Sequence, residues 1–448
     1  MGREKPNYMT TEPVVDEKEI AASPPLDSCL SKSSNEAPVQ DCKRDDYSVW
    51  LAVVGGFLLS SVSWGPSLSY GSFQDYYTTR LLPHHSASSI SWIGTLNSFL
   101  VELVGVFSGP LFDQGYGRHL VLLGSFLMVF GMMMLSFARE YYQVILSHGM
   151  CQGIGAGLAF VPTIATVSTR VQGKKALALA ITTCGGAIGG VLIPIIILRL
   201  RPQIGFPWAV RTLGFIQLGS VLAAFPLIFY KSPSIRRPTG RVIELSALKD
   251  PAFTVLALAH FLLYLAYYIP IAYIPTYAME VLQQPRESGL YLLAGLNAAS
   301  LPSRIGLAVL TSRFSPVSLL TTAAVASSVL LYCWISIKSL VGLAVFSVLF
   351  GMSSGAFLSL GSVVIAHPRI TPSPEVAGAR LGTQWFFSSL GSLIGAPIAG
   401  VLQNTRTNDF TGGQIFGGST MAGAVLCLVV VTGWIWRYDR SMKCLEKA

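Results

Sequence analysis

Long apolar runs separated by short polar breaks fill the chain from residue 47 onward. By length and hydropathy they fall near 49–71, 91–111, 119–138, 142–167, 176–198, 209–230, 253–278, 288–310, 316–336, 339–366, 379–402 and 415–436. Each is close to the ~20 residues that carry a helix across a hydrocarbon core. Inside lipid the backbone must satisfy its own hydrogen bonds, so runs of this length predict helices. The widest break, KSPSIRRPTGRVIELSALKD at 231–250, divides the runs six and six. The pattern predicts an all-α membrane protein: twelve transmembrane helices in two six-helix bundles around a central cavity. Its predicted parts are a tail at 1–46, a first bundle at 47–230, a central loop at 231–250, a second bundle at 251–437 and a tail at 438–448.

Composition agrees with that pattern. Of 448 residues, 52% are hydrophobic and only 12% charged, with mean hydropathy +0.55. A soluble chain carries about 25% charged residues. Residues 1–46 hold ten acids and six Lys/Arg and no long apolar run. They predict a disordered cytosolic tail with no cleaved signal peptide. The net charge of +9 therefore understates the basic excess of the remainder. With the N-terminus in the cytosol, eighteen Lys/Arg near the membrane fall on the cytosolic side. Eight fall outside: Arg80, Arg139, Arg199, Arg201, Arg211, Arg286, Lys338 and Arg406. This bias predicts both termini cytosolic and reads as topology rather than nucleic-acid binding. Cys151, Cys184, Cys333 and Cys427 lie in apolar runs without metal-ligand spacing and read as small core residues. The chain has no P-loop, G-x-S-x-G elbow or H-E-x-x-H, so neither an enzyme nor a cofactor or metal is expected.

Charge inside the spans carries the functional signal. Arg304 stands mid-run in LNAASLPSRIGLAVLTSRF, with Asn297 two turns earlier on the same face. A buried charge in hydrocarbon costs several kcal/mol and marks a path or a pairing. One reading has Arg304 line a water-filled path and handle an anion. The other has it paired structurally with a carboxylate or helix carbonyls. Glu102, in FLVELVGVF, is a proton-carrier candidate beside a packing role, and His260 is a second one beside a hydrogen-bonded core role. Tyr264, Tyr267, Tyr268 and Tyr273 crowd one span and Trp385, Phe386 and Phe387 another. Tyr264, Tyr268 and Phe386 are candidates for the cavity wall, although aromatic residues also gather at membrane interfaces. Pro270 and Pro275 suit a helix that bends. Gly153, Gly155 and Gly157 form a packing ladder, not a phosphate loop.

The loop after the second run reads Gly109-Pro-Leu-Phe-Asp113-Gln-Gly-Tyr-Gly117-Arg118, a G-x-x-x-D-x-x-x-G-R shape. Its counterpart after the eighth run keeps Arg313 without the acid. The pair suggests an internal repeat and a gating motif. This pattern resembles the inter-helix motif of the major facilitator superfamily, which usually has Asp-Arg where this chain has Asp113-Gln114. The first span, with Asp46, Trp50, Gly55-Gly56-Phe57, Trp64-Gly65 and Tyr70–Tyr77, is similar to the first-helix signature of its monocarboxylate porters, particularly fungal-type members. Tyr47 and Ser48 stand where that signature has glycines. Arg170–Pro194 resembles the branch's fifth helix, Tyr268-Ile-Pro270 with Tyr273–Ala278 its seventh, and Asn297 with Arg304 the Asn–Arg pair of its eighth.

The resemblance implies secondary active transport by alternating access. The implied substrate is a carboxylate-bearing or related small organic metabolite, with proton coupling an open question. Animal members use a first-helix lysine and an acid four residues before the eighth-helix arginine. Here no lysine lies between Arg44 and Arg80, and Ser300 takes the acid's place. That departure favours a larger or less strictly anionic substrate, and with it the alternative of an efflux pump for a bulkier secondary metabolite. A membrane receptor or sensor on a transporter-like fold is the rival from another class. Expected partners are the lipid bilayer and the substrate. The plasma membrane is the default location, with a vacuolar membrane as the alternative.

Overall fold

The computed structural model describes residues 47–171, 175–230, 243–372, 374–403 and 409–445. The tail at 1–46 and most of the central loop, with their basic residues, lie outside the described residues, as do Lys174, Arg406 and Lys447. The long elements are all helices: α1 Tyr47–Leu68, α2 Tyr70–Tyr76, α3 Ala87–Leu111, α4 Gly117–Leu135, α5 Tyr141–Val144, α6 Gln152–Arg170 and α7 Lys175–Phe229 in the first half. The second half has α8 Pro251–Glu280, α9 Arg286–Leu310, α10 Pro316–Trp334, α11 Leu340–Ile365, α12 Pro374–Leu402 and α13 Thr411–Leu445. Three π-helical segments, Tyr77–Leu81, Phe112–Tyr116 and Ile145–Cys151, link or interrupt them.

The helix starts follow side-chain chemistry. Ser86 accepts from the Ser89 N–H to cap α3, and Ser339 accepts from the Gly342 N–H to cap α11. Asp250 accepts from the Ala252 N–H with Pro251 at the first helical position, where its missing N–H costs nothing. Among the described residues ten helical stretches are long and apolar enough to cross a membrane. Two of them exceed any bilayer: Ala87–Leu135 runs 49 residues and Leu177–Phe229 runs 53. Each is broken by a glycine in the left-handed region, Gly115 at φ 96° and Gly205 at φ 77°. Only glycine adopts that conformation without steric cost. The turn in the Gly109–Arg118 motif is therefore made by Gly115. Gly117 has a different task, since a Cβ there would press on the Phe112 ring at 2.7 Å.

The outer surface is the apolar one. Leu222, Leu426, Val401 and Val341 are 66–74% exposed, which suits hydrocarbon rather than water. The interior carries Ser60, Ser63, Gln74, Asn97, Gln217 and Gln384, each at most 3% exposed. Small residues let the backbones meet. Gly185 and Gly189 of α7 lie directly against the Phe57 and Ser61 carbonyls of α1, and Gly124 and Gly155 bring α4 and α6 together. Such contacts provide much of helix association where lipid tails match the side chains in polarity. Of the cysteines read as core, only Cys184 is buried. Cys151 and Cys427 are half-buried and Cys333 is exposed on the apolar surface.

Across the two chain halves α3 packs on α12, α7 on α9 and α2 on α8. These are the seams that hold the site.

A Cβ at Gly189 collides with the Ser61 carbonyl, whereas nothing lies within 4 Å of one at Gly219. Gly189→Leu is expected to destabilise by about 1–3 kcal/mol, the usual cost of overpacking, and Gly219→Leu to be near neutral. Thermal unfolding of the purified protein followed by size-exclusion fluorescence checks this. Equal midpoints would mean that the α1–α7 contact is not tight.

Candidate functional site

The α7–α9 seam is an antiparallel ladder. Arg304 donates from Nη1 to the Thr183 carbonyl at 2.7 Å, and Asn297 donates from Nδ2 to the Gly190 carbonyl at 3.3 Å. Two helical turns therefore separate the rungs on each helix, which is why Asn297 and Arg304 share a face. Asn297 also reaches the Leu68 carbonyl at the end of α1, at 3.0 Å, and the Leu293 carbonyl of its own helix. It ties three helices where the seams converge. A Cβ at Gly190 would meet the Asn297 amide at 2.7 Å, so glycine there is what lets the amide in.

Arg304 is 3% exposed. Its Nε has no hydrogen-bond partner, and the ion pairs among the described residues do not include it. One helix carbonyl is its hydrogen-bond partner. Across the interior Glu102 of α3 is also 3% exposed. One of its oxygens accepts from Ser392 Oγ of α12 at 3.5 Å, and the other is unpartnered. Tyr264 and Tyr267 are within electrostatic reach of both the Glu102 carboxyl and the Arg304 guanidinium. Tyr268 is within reach of Glu102. The Tyr264 and Tyr268 hydroxyls are buried without hydrogen-bond partners.

Aromatic rings close this layer. Tyr264 meets Trp385 edge-on at 6.0 Å between centroids, and Tyr267 meets Tyr268 at 4.8 Å and Phe357 at 6.1 Å. Tyr268 also lines a small void of about 10 Å³ with Ser67, Tyr70, Ser91, Ile271 and Ala396. That is room for about one water and it spans both chain halves.

The predicted site residues thus divide. Arg304, Asn297, Tyr264, Tyr268 and Glu102 come together on the inner face of the seams. The Phe386 ring packs on Phe387 at 5.7 Å, and its neighbour Trp385 supplies the ring beside Tyr264. His260 holds the Leu256 carbonyl of its own helix through Nδ1 at 3.0 Å. Its unpartnered Nε2 lies beside Gly361 and Gln384. No contact links it to Glu102 or Arg304. In the loop motif Asp113 is half-buried, Arg118 rests over the Phe229 ring at 5.7 Å and Arg313 is exposed. A Cβ at Gly109 would find only Val161, at 3.9 Å.

At the end of the seams beyond Asn297 a group that sequence reasoning missed comes into view. Asp75 of α2 is fully buried and faces Arg286 Nε of α9 at 3.0 Å and Arg201 Nη1 of α7 at 3.8 Å. Arg286 also donates to Thr79 Oγ1 at 2.8 Å, and Arg199 to the Tyr291 hydroxyl at 3.1 Å. Ser88 Oγ donates to the Pro397 carbonyl at 2.9 Å. Pairs from both chain halves therefore close this end. At the opposite end Arg170 donates to the Ile228 and Tyr230 carbonyls of its own half, and Arg369 and Arg380 pair with Asp250 and Glu244 of theirs. Sequence offered Asp75 only as a letter in a motif and Arg286 only as one of eight outside charges.

An interior that holds buried ionisable groups and aromatic side chains inside an apolar exterior defines a polytopic membrane protein. Residues 49–396 match the Major Facilitator Superfamily, and the chain belongs to that family of transporters. It is 35% identical over 410 residues to the MFS transporter asaE of Aspergillus flavus, covering 91% of each chain. It is 32% identical over 381 residues to the aspyridones efflux protein apdF of Emericella nidulans, covering 84% of this chain and 76% of that one. With the fujikurins efflux protein of Gibberella fujikuroi it shares 34% over 389 residues, 85% and 80% of the two chains.

A buried guanidinium with one carbonyl partner costs more in desolvation than its contact returns. Arg304→Met is therefore expected to raise the thermal midpoint, by about 1 kcal/mol or more in stability. A lower midpoint would assign Arg304 to the structural reading.

Proposed function

We propose that this transporter exports an amphipathic organic metabolite carrying an acidic group. The observation that carries the reading is the inner layer: one cation, one carboxyl and two unpartnered phenol hydroxyls set among aromatic rings. A guanidinium offers planar, charge-assisted hydrogen bonds to a carboxylate or enolate, and the rings take an apolar body. Two relatives are named efflux proteins, and the missing first-helix lysine and Ser300 fit a cargo bulkier than a simple monocarboxylate. Uptake of a small carboxylate is the second reading. It is favoured by the resemblance of Asn297, Arg304 and the first-span motif to the monocarboxylate branch.

The path is proposed to run through twelve spans. Two arguments support that number: roughly 70 Å of continuous helix cannot sit in a ~30 Å hydrocarbon core, and Gly115 and Gly205 provide the reversals in the two overlong stretches. The basic bias then puts both termini in the cytosol and the Asp75 end outside. In that orientation the structure is the outward-closed form of an alternating-access cycle, with the two chain halves as the moving bundles. Glu102 is proposed as the proton-coupling acid, since its Ser392 partner lies in the other chain half. The loop from Gly109 to Arg118 is proposed to gate the cytosolic face. The plasma membrane is the proposed location.

Deleting the gene and profiling metabolites inside and outside the cells tests the reading. An acidic product that accumulates inside and falls outside is expected. Re-introduced Arg304→Met, at normal membrane level, is expected to restore less than a tenth of export, the loss of at least one charge-assisted hydrogen bond. Glu102→Gln is expected to flatten the pH dependence of export. Unchanged pools, or failure to take up a small carboxylate, would overturn the export reading.

A further inference from the structure

Asp75 is the one carboxylate in the described residues that is wholly excluded from solvent and flanked by two arginines. The arginines differ in where they belong. Arg201 lies on α7, in the same half of the chain as Asp75. Arg286 opens α9, in the other half. Arg201 is held near Asp75 independently: its guanidinium rests over the Tyr76 ring at 5.6 Å, and Tyr76 stacks on Phe206 of α7 at 3.8 Å. Arg286 reaches this segment through Asp75 of α2 and Thr79 of the π-helical turn that follows it. The carboxylate lies nearer Arg286, at 3.0 Å, than Arg201, at 3.8 Å; both are ion pairs at the same oxygen, and neither carboxylate oxygen accepts a hydrogen bond.

Any movement that parts the chain halves at this end must break the Asp75–Arg286 pair. A buried carboxylate left alone is costly. Arg201, already within 4 Å, is placed to take it over without travelling. Arg80 adds a further positive charge within electrostatic reach of Arg201. The segment itself is built to shift. Ser69, between α1 and α2, leaves helical geometry at φ −104°, ψ 8°, three residues after Pro66, and a π-helical turn follows at Tyr77–Leu81.

We propose that Asp75 is a partner-exchange latch: it holds the closed state through Arg286 and the open state through Arg201. Arg286 is then a closing residue and Arg201 an opening one, although both contact the same carboxylate. The proposal rests on the alternating-access reading, but its test follows the seam and needs no substrate.

The test uses the full chain in lipid nanodiscs, with its seven native cysteines replaced and a single reporter, Ser91→Cys. Ser91 is fully buried and lines the small void between the chain halves, so a bulky maleimide sulfonate reaches it only when this end opens. Arg286→Gln is expected to raise the labelling rate at least fivefold, and Arg201→Gln to lower it at least threefold. With Asp75→Asn in the background, neither arginine substitution is expected to change the rate further by more than about twofold. Arg286→Lys, which keeps the charge with a shorter reach, serves if the glutamine variant does not fold, with the same sign and a smaller rise. Opposite signs establish the exchange. Same-sign changes, no change, or effects that persist on Asp75→Asn would overturn it. Unchanged metabolite pools in the gene-deletion cells, with these labelling results intact, would count against the transport reading alone.

Discussion

An ionisable group in a medium that solvates its charged form poorly is the constraint on which this structure turns. Arg304 and Glu102 are each almost wholly buried, and neither has the partner that would settle it. A chain selected only for stability would pair them or replace them with packed apolar side chains. Their persistence as separate, under-satisfied groups is intelligible if the missing partners arrive and leave with each transport cycle. The unpartnered hydroxyls of Tyr264 and Tyr268 belong to the same account. They sit in an aromatic wall that would otherwise be a plain hydrophobic seam.

The scaffold makes such groups tolerable by keeping their surroundings dry and close. Gly190 gives the Asn297 amide its place, and Gly185 and Gly189 bring α7 onto α1 behind it. Asn297 in turn binds the end of α1 to α7 and α9, so the rung that includes Arg304 is anchored two turns away by a neutral hydrogen-bonding group. Precision at the charged rung comes from small residues at the uncharged one. The same logic accounts for the glycines with positive φ. Gly115 and Gly205 concentrate chain reversal into single residues, which frees the flanking segments to be regular, apolar helix.

Much of this was legible in the sequence because hydrocarbon imposes a coarse and strict code. Run length and the rarity of charge located the helices and singled out Arg304, Asn297 and Glu102. The code is silent on what happens within a helix's own geometry. The Gly109–Arg118 motif drew attention to Gly117, but the left-handed residue is Gly115, which no spacing rule distinguishes from its neighbours. Phe386 and Trp385 are adjacent in an apolar run, and about 100° of helical rotation decides which of them meets Tyr264. The π-helical turns at Tyr77–Leu81, Phe112–Tyr116 and Ile145–Cys151, which shift the phase of the helices beside them, leave no compositional mark either. Cys333 read as core for the same reason: in a membrane helix both the inward and outward faces are apolar.

Asp75 was overlooked for a different reason, and the reason bears on how such proteins work. Charge counting near a membrane treats acids and bases as topology markers, so Arg201 and Arg286 appeared only as exceptions to a positive-inside bias. A carboxylate shared by two arginines, one moving with it and one not, is a relation among three distant positions, 75, 201 and 286. Its meaning depends on which half of the chain each helix belongs to. A single ion pair would merely hold the end closed, and its rupture would set the barrier to opening. A third charge already in place lowers that barrier from either side, because the carboxylate is never without a counter-ion. In this state the carboxylate lies nearer the arginine of the other chain half, 3.0 against 3.8 Å, as a latch caught in its closed position requires.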